Sequence, residues 1–165
     1  MIILRNWFYI VSFISLIAIS IALIAEYIFN LQPCVMCLKQ RQPYYFILLI
    51  FILFYFFKNI NNLWFYLLVQ LASLYGLFYS IWHVGIEQKI LSGPASCSGG
   101  LSISESVENL KEQIIGKAII NCEDVVWGFL GISAATINTF LLLLIFFLNA
   151  IYIQKHHASK KNTAS

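Results

Sequence analysis

The chain has 165 residues, of which 61% are hydrophobic and 10% are charged, and its formal net charge is +3. Soluble domains carry about 25% charged residues, and a soluble fold of this length cannot bury so much apolar surface. The composition therefore excludes an ordinary soluble domain and predicts a single domain embedded in lipid. The basic residues form no stripe or arm, so nucleic acid is not an expected partner.

The hydrophobic segments predict an all-α membrane protein, a bundle of four transmembrane helices. A membrane helix needs about 20 mostly apolar residues. The predicted spans cover residues 7–28, 38–57, 63–82 and 125–153, approximately. The first span is retained, because its uncharged stretch is longer than a signal-peptide core of about 7–15 residues. The connecting segments are two external loops, at about 29–37 and 83–124, a cytoplasmic hairpin at 58–62 and a basic cytoplasmic tail at 154–165.

The positions of the basic residues and the cysteines predict the orientation. The basic residues divide evenly between the two sides of the membrane, but those on the same side as the termini lie on much shorter segments. Basic residues on short segments favour the cytoplasmic side, so both termini are predicted to be cytoplasmic. All four cysteines are then external, in an oxidising compartment such as the bacterial periplasm, where disulfides persist. We expect a multi-pass protein of the bacterial inner membrane with both termini in the cytoplasm.

Cys34 and Cys37 form a Cys-x-x-Cys motif at the mouth of the second span. Cysteines at this spacing can close a small reactive ring, and such motifs lower thiol pKa values. A static disulfide and half of a zinc site are the alternatives. A site with four cysteines needs a second close pair, and Cys97 and Cys122 are far apart in sequence. Redox function without a metal is therefore the favoured interpretation.

Arg41 is the second candidate for the chemistry of this site. The uncharged part of the second span, residues 43–57, forms only about 22 Å of helix, so the span must also recruit residues from Cys37 onward. In a helix, Cys37 and Arg41 lie on one face, where a guanidinium favours the thiolate. The alternative is an interfacial arginine that anchors the helix end. Pro43 would either kink this helix or begin it.

The second external loop contains the other two cysteines. Cys97 lies in a Gly- and Ser-rich stretch, residues 93–100, which favours an exposed, mobile loop. The following residues predict a short amphipathic helix that lies on the membrane surface or packs on the bundle. Its apolar positions are Ile103, Val107, Leu110 and Ile114, and Ser102 with Glu105 suits its capping box.

Three further titratable residues lie near the predicted outer interface. His83 follows the third span at the depth expected for Cys37, as a hydrogen-bonded spectator or as a ligand of a bound group. Glu26 and Glu87 could pair with Arg41. Solvation at the interface is the favoured interpretation for both carboxylates.

Three motifs together resemble the disulfide bond formation protein B (DsbB) family. They are Leu31-Gln-Pro-Cys-Val-Met-Cys-Leu-Lys-Gln-Arg41-Gln-Pro-Tyr44, Trp82-His-Val-Gly-Ile-Glu87 with Gly93-Pro-Ala-Ser-Cys-Ser-Gly-Gly100, and Cys122-Glu-Asp-Val-Val-Trp-Gly-Phe-Leu-Gly131. Span count, loop order and cysteine placement agree from about Trp7 to Ile153. Gln40 departs from the family pattern, which has an acid there, so we assign Gln40 no role.

The resemblance implies a quinone-dependent thiol oxidase. Its partner would be a thioredoxin-fold periplasmic oxidase like DsbA, and its cofactor ubiquinone, with menaquinone as the alternative. This relay keeps the bacterial periplasm oxidising. Cys97 would form the mixed disulfide with the partner, Cys122 would attack Cys34, and Cys37 would face the quinone as a thiolate. The implied catalytic residues are Cys34, Cys37, Cys97, Cys122 and Arg41, and the implied quinone site consists of Cys37, Arg41 and His83.

Two other functions fit part of the sequence. A tetraspanin-like structural protein, whose loop disulfides only brace an external platform, explains the span count and the external thiols. It does not explain a Cys-x-x-Cys motif one helical turn from Arg41. A dedicated variant of the same enzyme, which serves a single substrate, is the third interpretation.

Overall fold

The computed structural model describes residues 6–58, 62–94, 97, 122, 123, 125, 127–129 and 131–163, with the backbone alone at 129 and 157–163. Four long helices dominate these residues: α1 (Trp7–Tyr27), α2 (Val35–Phe56), α3 (Leu63–Glu87) and α4 (Ala134–Thr163). A short antiparallel hairpin precedes α4, with β1 (Gly128–Phe129) paired to β2 (Ile132–Ser133). The predicted helical membrane bundle is confirmed. The predicted amphipathic helix and the centre of the 58–62 hairpin lie outside the described residues.

Three of the helices, α1, α3 and α4, are long and apolar enough to cross a membrane. Helix α2 has 22 residues, which is a sufficient length. Lys39 and Arg41 in its first turns lower its mean hydropathy. Its role as a fourth span therefore stays a prediction.

Helix α2 begins at Val35 and continues through Pro43, so a helix that begins at Pro43 is excluded. Pro43 packs against α3 at Gly76, which has no side chain. A Cβ atom on Gly76 would lie 2.8 Å from Pro43 Cγ and 3.0 Å from Leu142 Cδ1. Gly76 thus allows α2 and α4 to approach α3 closely, as small residues do in membrane bundles.

Two helix ends differ from the predicted spans. Helix α3 continues beyond Trp82 to Glu87, so His83 and Glu87 lie one turn apart on the same helix. Helix α4 begins at Ala134 rather than near Val125, because the β1–β2 hairpin intervenes, and it continues through most of the predicted tail. Hydropathy predicts where the apolar stretch lies. The ends of a helix depend on turns and capping residues, which hydropathy does not detect.

A buried polar contact joins α1, α3 and α4 near the start of α1. The Trp7 indole donates to Asn149 Oδ1 at 3.1 Å, and Asn149 Nδ2 donates to the Tyr66 carbonyl at 2.8 Å and to Gln70 Oε1 at 2.7 Å. Interhelical hydrogen bonds of this kind stabilise membrane bundles modestly but favour one rotation of each helix. The cysteines lie at the opposite end.

Candidate functional site

All four cysteines meet at the end of the bundle where α2 begins. Cys97 and Cys122 form a disulfide. Cys34 and Cys37 are free thiols whose Sγ atoms lie 2.8 Å apart. Cys34 packs in one buried cluster with Cys97, Cys122 and Ile86. The fold therefore gathers the cysteines into two adjacent pairs.

The prediction that Cys97 is exposed is wrong for this arrangement, because Cys97 is only 1% exposed. Its amide donates to the Pro94 carbonyl at 2.8 Å, and the Cys122 amide donates to the Cys97 carbonyl at 3.2 Å. A Cβ atom on Gly93 would lie 3.1 Å from Cys97 Cβ, so the turn packs tightly against the disulfide. The Gly- and Ser-rich composition predicts a mobile backbone only as long as Cys97 is unpaired. The disulfide and the contacts with the bundle bury its sulfur.

Cys34 lies immediately before α2, where its sulfur contacts the Cys37 thiol, the Cys37 backbone N–H and His83. It caps the helix and accepts the Cys37 backbone N–H at 3.2 Å. The hydrogen bond between the two thiols lowers the pKa of Cys34 below its ordinary value, burial opposes this shift, and His83, 3.6 Å away through Nε2, adds to it. The Cys37 backbone N–H and His83 therefore both face the sulfur of Cys34.

His83 is buried inside the bundle, with 2% of its surface exposed. Besides Cys34, it contacts the amide of Gln40, whose Nε2 lies 3.0 Å from His83 Nδ1. Glu87 Oε1 lies 3.9 Å from His83 Nε2. Gln40, to which the sequence assigned no role, is 6% exposed and packs inside the bundle.

The predicted solvation of the two carboxylates is wrong. Arg41 forms an ion pair with Glu26 on α1, and its Nη2 donates to the Ala22 carbonyl at 3.4 Å. Glu87 instead accepts a hydrogen bond from Ser133 at 2.6 Å and lines a cavity of about 540 Å³ beside the hairpin. Arg41 is therefore held against α1 by a partner that sequence spacing does not reveal.

A cavity of about 150 Å³ opens beside Cys37 and Arg41. A cavity of about this volume holds one benzene ring when it is apolar. Its polar lining consists of Cys37, Gln40, Arg41, Tyr44 and Asn138, and its apolar lining consists of Ala18, Ile19, Ile21, Ala22, Trp127, Ala134, Ala135, Ile137 and Leu141. These lining residues can offer hydrogen bonds to the oxygens of a quinone ring and place a thiol beside it.

The family of this chain follows from comparison with known proteins. The family model described as disulfide bond formation protein DsbB matches residues 4–152. The chain belongs to the DsbB family. It is also similar to the uncharacterised protein RP370 of Rickettsia prowazekii (strain Madrid E), with 31% identity over 141 residues, which cover 84% of this chain and 81% of that protein. No solved structure matches.

Membership of the DsbB family confirms the resemblance and makes the protein an integral membrane disulfide oxidoreductase. The structure brings Cys34, Cys37, Cys97 and Cys122 together, and Cys37 and Arg41 both line the ring-sized cavity. His83 is not among the described residues that line it. Its predicted contact with a quinone stays a prediction, and its observed contact is with Cys34.

Three polar residues of this DsbB-family site were not among the predicted site residues: Gln40, Tyr44 and Asn138. Each lies within a largely apolar helix and faces the cavity. A polar residue inside a membrane helix is costly and is therefore a candidate for a functional or a packing role. Gln40 and Asn138 could therefore have been found by that rule.

Cys34, Cys37 and His83 also offer donor atoms that lie within 4.8 Å of one another. A structural zinc site takes four protein ligands, and the described part of the chain brings together three. The absence of a metal from this DsbB-family site stays a prediction.

Proposed function

We propose that this protein is a thiol oxidase of the bacterial inner membrane. It reoxidises a DsbA-like periplasmic dithiol oxidase and passes the electrons to a membrane quinone, either ubiquinone or menaquinone. The observation that carries the proposal is the position of the Cys34–Cys37 pair. It lies between the Cys97–Cys122 disulfide and the cavity that Arg41 lines.

The membrane arrangement is part of the proposal. All four helices span the bilayer, both termini lie in the cytoplasm, and the cysteines face the periplasm. The position of all four cysteines at one end of the bundle supports it, since one face must serve both pairs. Lys39 and Arg41 then lie at the interface, and the ion pair with Glu26 lowers the cost of a cation at this depth.

Electrons move through the two cysteine pairs by disulfide exchange. A thiolate of the partner attacks Cys97 and breaks its bond to Cys122, whose thiolate then attacks Cys34 and releases Cys37. The second thiolate of the partner completes the partner's disulfide and frees Cys97, which attacks Cys122, re-forms the outer disulfide and releases Cys34. Cys34 and Cys37 then give up two electrons and re-form their own disulfide. A bound quinone supplies the two-electron acceptor. Each turnover converts two partner thiols into a disulfide, and one quinone with two protons into a quinol.

An outer disulfide with two inner thiols corresponds to the step of the relay at which the electrons have reached the inner pair. Cys37 borders the cavity, and Arg41 places a cation beside it. A guanidinium there favours a thiolate and offers hydrogen bonds to a quinone oxygen.

The burial of Cys97 adds a requirement to the first step. A partner thiolate must reach the sulfur from outside, but Cys97 is enclosed between the turn at Gly93 and the cysteine cluster. The turn must therefore move when the partner docks.

Anaerobic turnover tests the proposed function. Purified protein receives a reduced thioredoxin-fold dithiol partner and either ubiquinone or menaquinone, and quinol formation is followed by absorbance. We expect one quinol for each partner disulfide. The tetraspanin-like alternative requires no quinol above the level of a Cys34→Ser, Cys37→Ser double variant, and that result would refute the proposal.

A further inference from the structure

A continuous chain of polar contacts connects the ring-sized cavity with Cys34. The Tyr44 hydroxyl donates to Asn138 Oδ1 at 2.6 Å, and Asn138 Nδ2 donates to Gln40 Oε1 at 3.3 Å. Gln40 Nε2 lies 3.0 Å from His83 Nδ1, and His83 Nε2 lies 3.6 Å from the Cys34 sulfur. The first three residues of the chain line the cavity.

The direction of the hydrogen bonds along this chain is defined by Gln40. Asn138 donates to the amide oxygen, so the amide nitrogen faces His83. An amide nitrogen only donates, so His83 Nδ1 accepts, and the proton of the neutral ring lies on Nε2. An amide can accept at one end and donate at the other, whereas an ionised carboxylate only accepts.

We propose that Gln40 is a positioning residue that fixes the Nε2–H tautomer of His83 and thereby directs a hydrogen-bond donor at the sulfur of Cys34. The inference rests on the proposed relay, in which Cys34 exchanges with Cys122. A donor that stabilises the Cys34 thiolate makes this sulfur a better leaving group when Cys97 attacks the Cys122–Cys34 disulfide.

The other titratable groups around His83 agree with this assignment. In the described part of the chain, Cys34 and Cys37 face the ring from α2, and Glu87 faces it from α3. Glu87 Oε1 lies 3.9 Å from Nε2, where a carboxylate also favours a proton on Nε2. Gln40 is the group that contacts the opposite nitrogen, so its substitution should change the tautomer most.

Nitrogen-15 NMR of histidine-labelled protein in detergent tests the assignment directly, because the two tautomers have distinct ring shifts. The signal of His83 is identified by its loss in a His83→Gln variant. We expect the Nε2–H tautomer in the protein as it exists. A neutral ring protonated on Nδ1 would overturn the proposal without any variant.

Gln40→Glu and Gln40→Met are the informative substitutions, since both preserve the length of the side chain. The carboxylate should draw the ring proton to Nδ1, and Met should leave a mixture of tautomers. Gln42→Glu is the matched control, because Gln42 is exposed and accepts from Tyr75 on the surface of the bundle. We expect no change at His83 in the control. An unchanged His83 signal in both Gln40 variants would also overturn the proposal.

A second readout follows the sulfur itself. The ultraviolet absorbance of the Cys34 thiolate is titrated against a Cys34→Ser reference. Losing one hydrogen bond to a charged group should lower the ratio of thiolate to thiol about tenfold in Gln40→Met. An unchanged titration curve would contradict the role of Gln40. Neither readout uses quinone or partner, so a failed relay and a failed assignment give different results.

Discussion

Replacing Arg41 with Ala removes the one cation that the described cavity lining contains. The substitution has two separable consequences. It leaves the Glu26 carboxylate without its ion-pair partner, and it removes a charged donor from the cavity wall. The first consequence affects folding, and the second affects quinone use.

The magnitudes follow from the burial of the pair. The side chains of Arg41 and Glu26 are 13% and 20% exposed, between a surface pair worth about 0–1 kcal/mol and a buried pair whose disruption costs about 3–5 kcal/mol. We expect a loss of about 1–2 kcal/mol in the free energy of unfolding. A hydrogen bond to a charged group contributes about 1.5–3 kcal/mol, so the apparent affinity for quinone should fall about 10- to 100-fold.

Quinone titration of turnover, with thermal unfolding of the same samples, separates the two consequences. Arg41→Lys should recover only part of the affinity, because an ammonium lacks the planar fork of donors. Lys39→Ala is the matched control, since it removes a cation two residues away that does not line the cavity. If Arg41→Ala folds and binds quinone as the unmodified protein does, Arg41 only anchors the helix.

The remaining predictions concern the cysteines and the packing of α2. Cys37→Ser should abolish quinol formation while the protein stays folded, and wild-type turnover would remove Cys37 from the relay. A reduced partner that lacks its second cysteine should break the Cys97–Cys122 disulfide of the unmodified chain and accumulate as a mixed disulfide at Cys97, because it cannot complete its own disulfide; a crosslink that maps chiefly to Cys122 or Cys34 would reverse the order of the relay. Because the pKa of Cys34 is lowered, its thiolate absorbance should persist below the ordinary thiol pKa of about 8.5 and disappear only as the pH falls through the lowered value; loss near 8.5 in the native protein would contradict this. Gly76→Val should lower the free energy of unfolding by about 1–3 kcal/mol, because its Cβ would lie 2.8 Å from Pro43 Cγ. An unchanged free energy of unfolding would show that α2 can move away from α3.

The sequence predicted the parts of this protein that depend on local spacing. The apolar stretches predicted a helical membrane bundle, because length and composition alone decide that a helix can cross the bilayer. The Cys-x-x-Cys motif and its spacing of four to Arg41 placed Cys37 and Arg41 at one site, and both line the cavity.

The contacts between helices were beyond prediction from one sequence. Arg41 could have paired with Glu26 or Glu87, and only the rotation and depth of α1 decide for Glu26. The same holds for Gln40, whose partners His83 and Asn138 lie on two other helices. Side chains that meet across a bundle leave no periodic signal along the chain.

The loop shows a different limit of sequence analysis. The composition around Cys97 predicts local freedom of the backbone, and that inference concerns the loop before its long-range bonds form. The disulfide to Cys122 and the packing against Ile86 bury the sulfur. The exposure of Cys97 therefore depends on its disulfide with Cys122, which the composition of the loop does not determine.

The transfer of electrons from the Cys34–Cys37 pair to a quinone is the central claim, and one anaerobic single-turnover measurement tests it most directly. Protein with the Cys97–Cys122 disulfide intact and the inner pair reduced is mixed with one equivalent of ubiquinone, without any partner protein. We expect one equivalent of quinol, with Cys34 and Cys37 recovered as a disulfide by mass mapping. Free Cys34 and Cys37 thiols with no quinol formed, and the same outcome with menaquinone, would contradict the account.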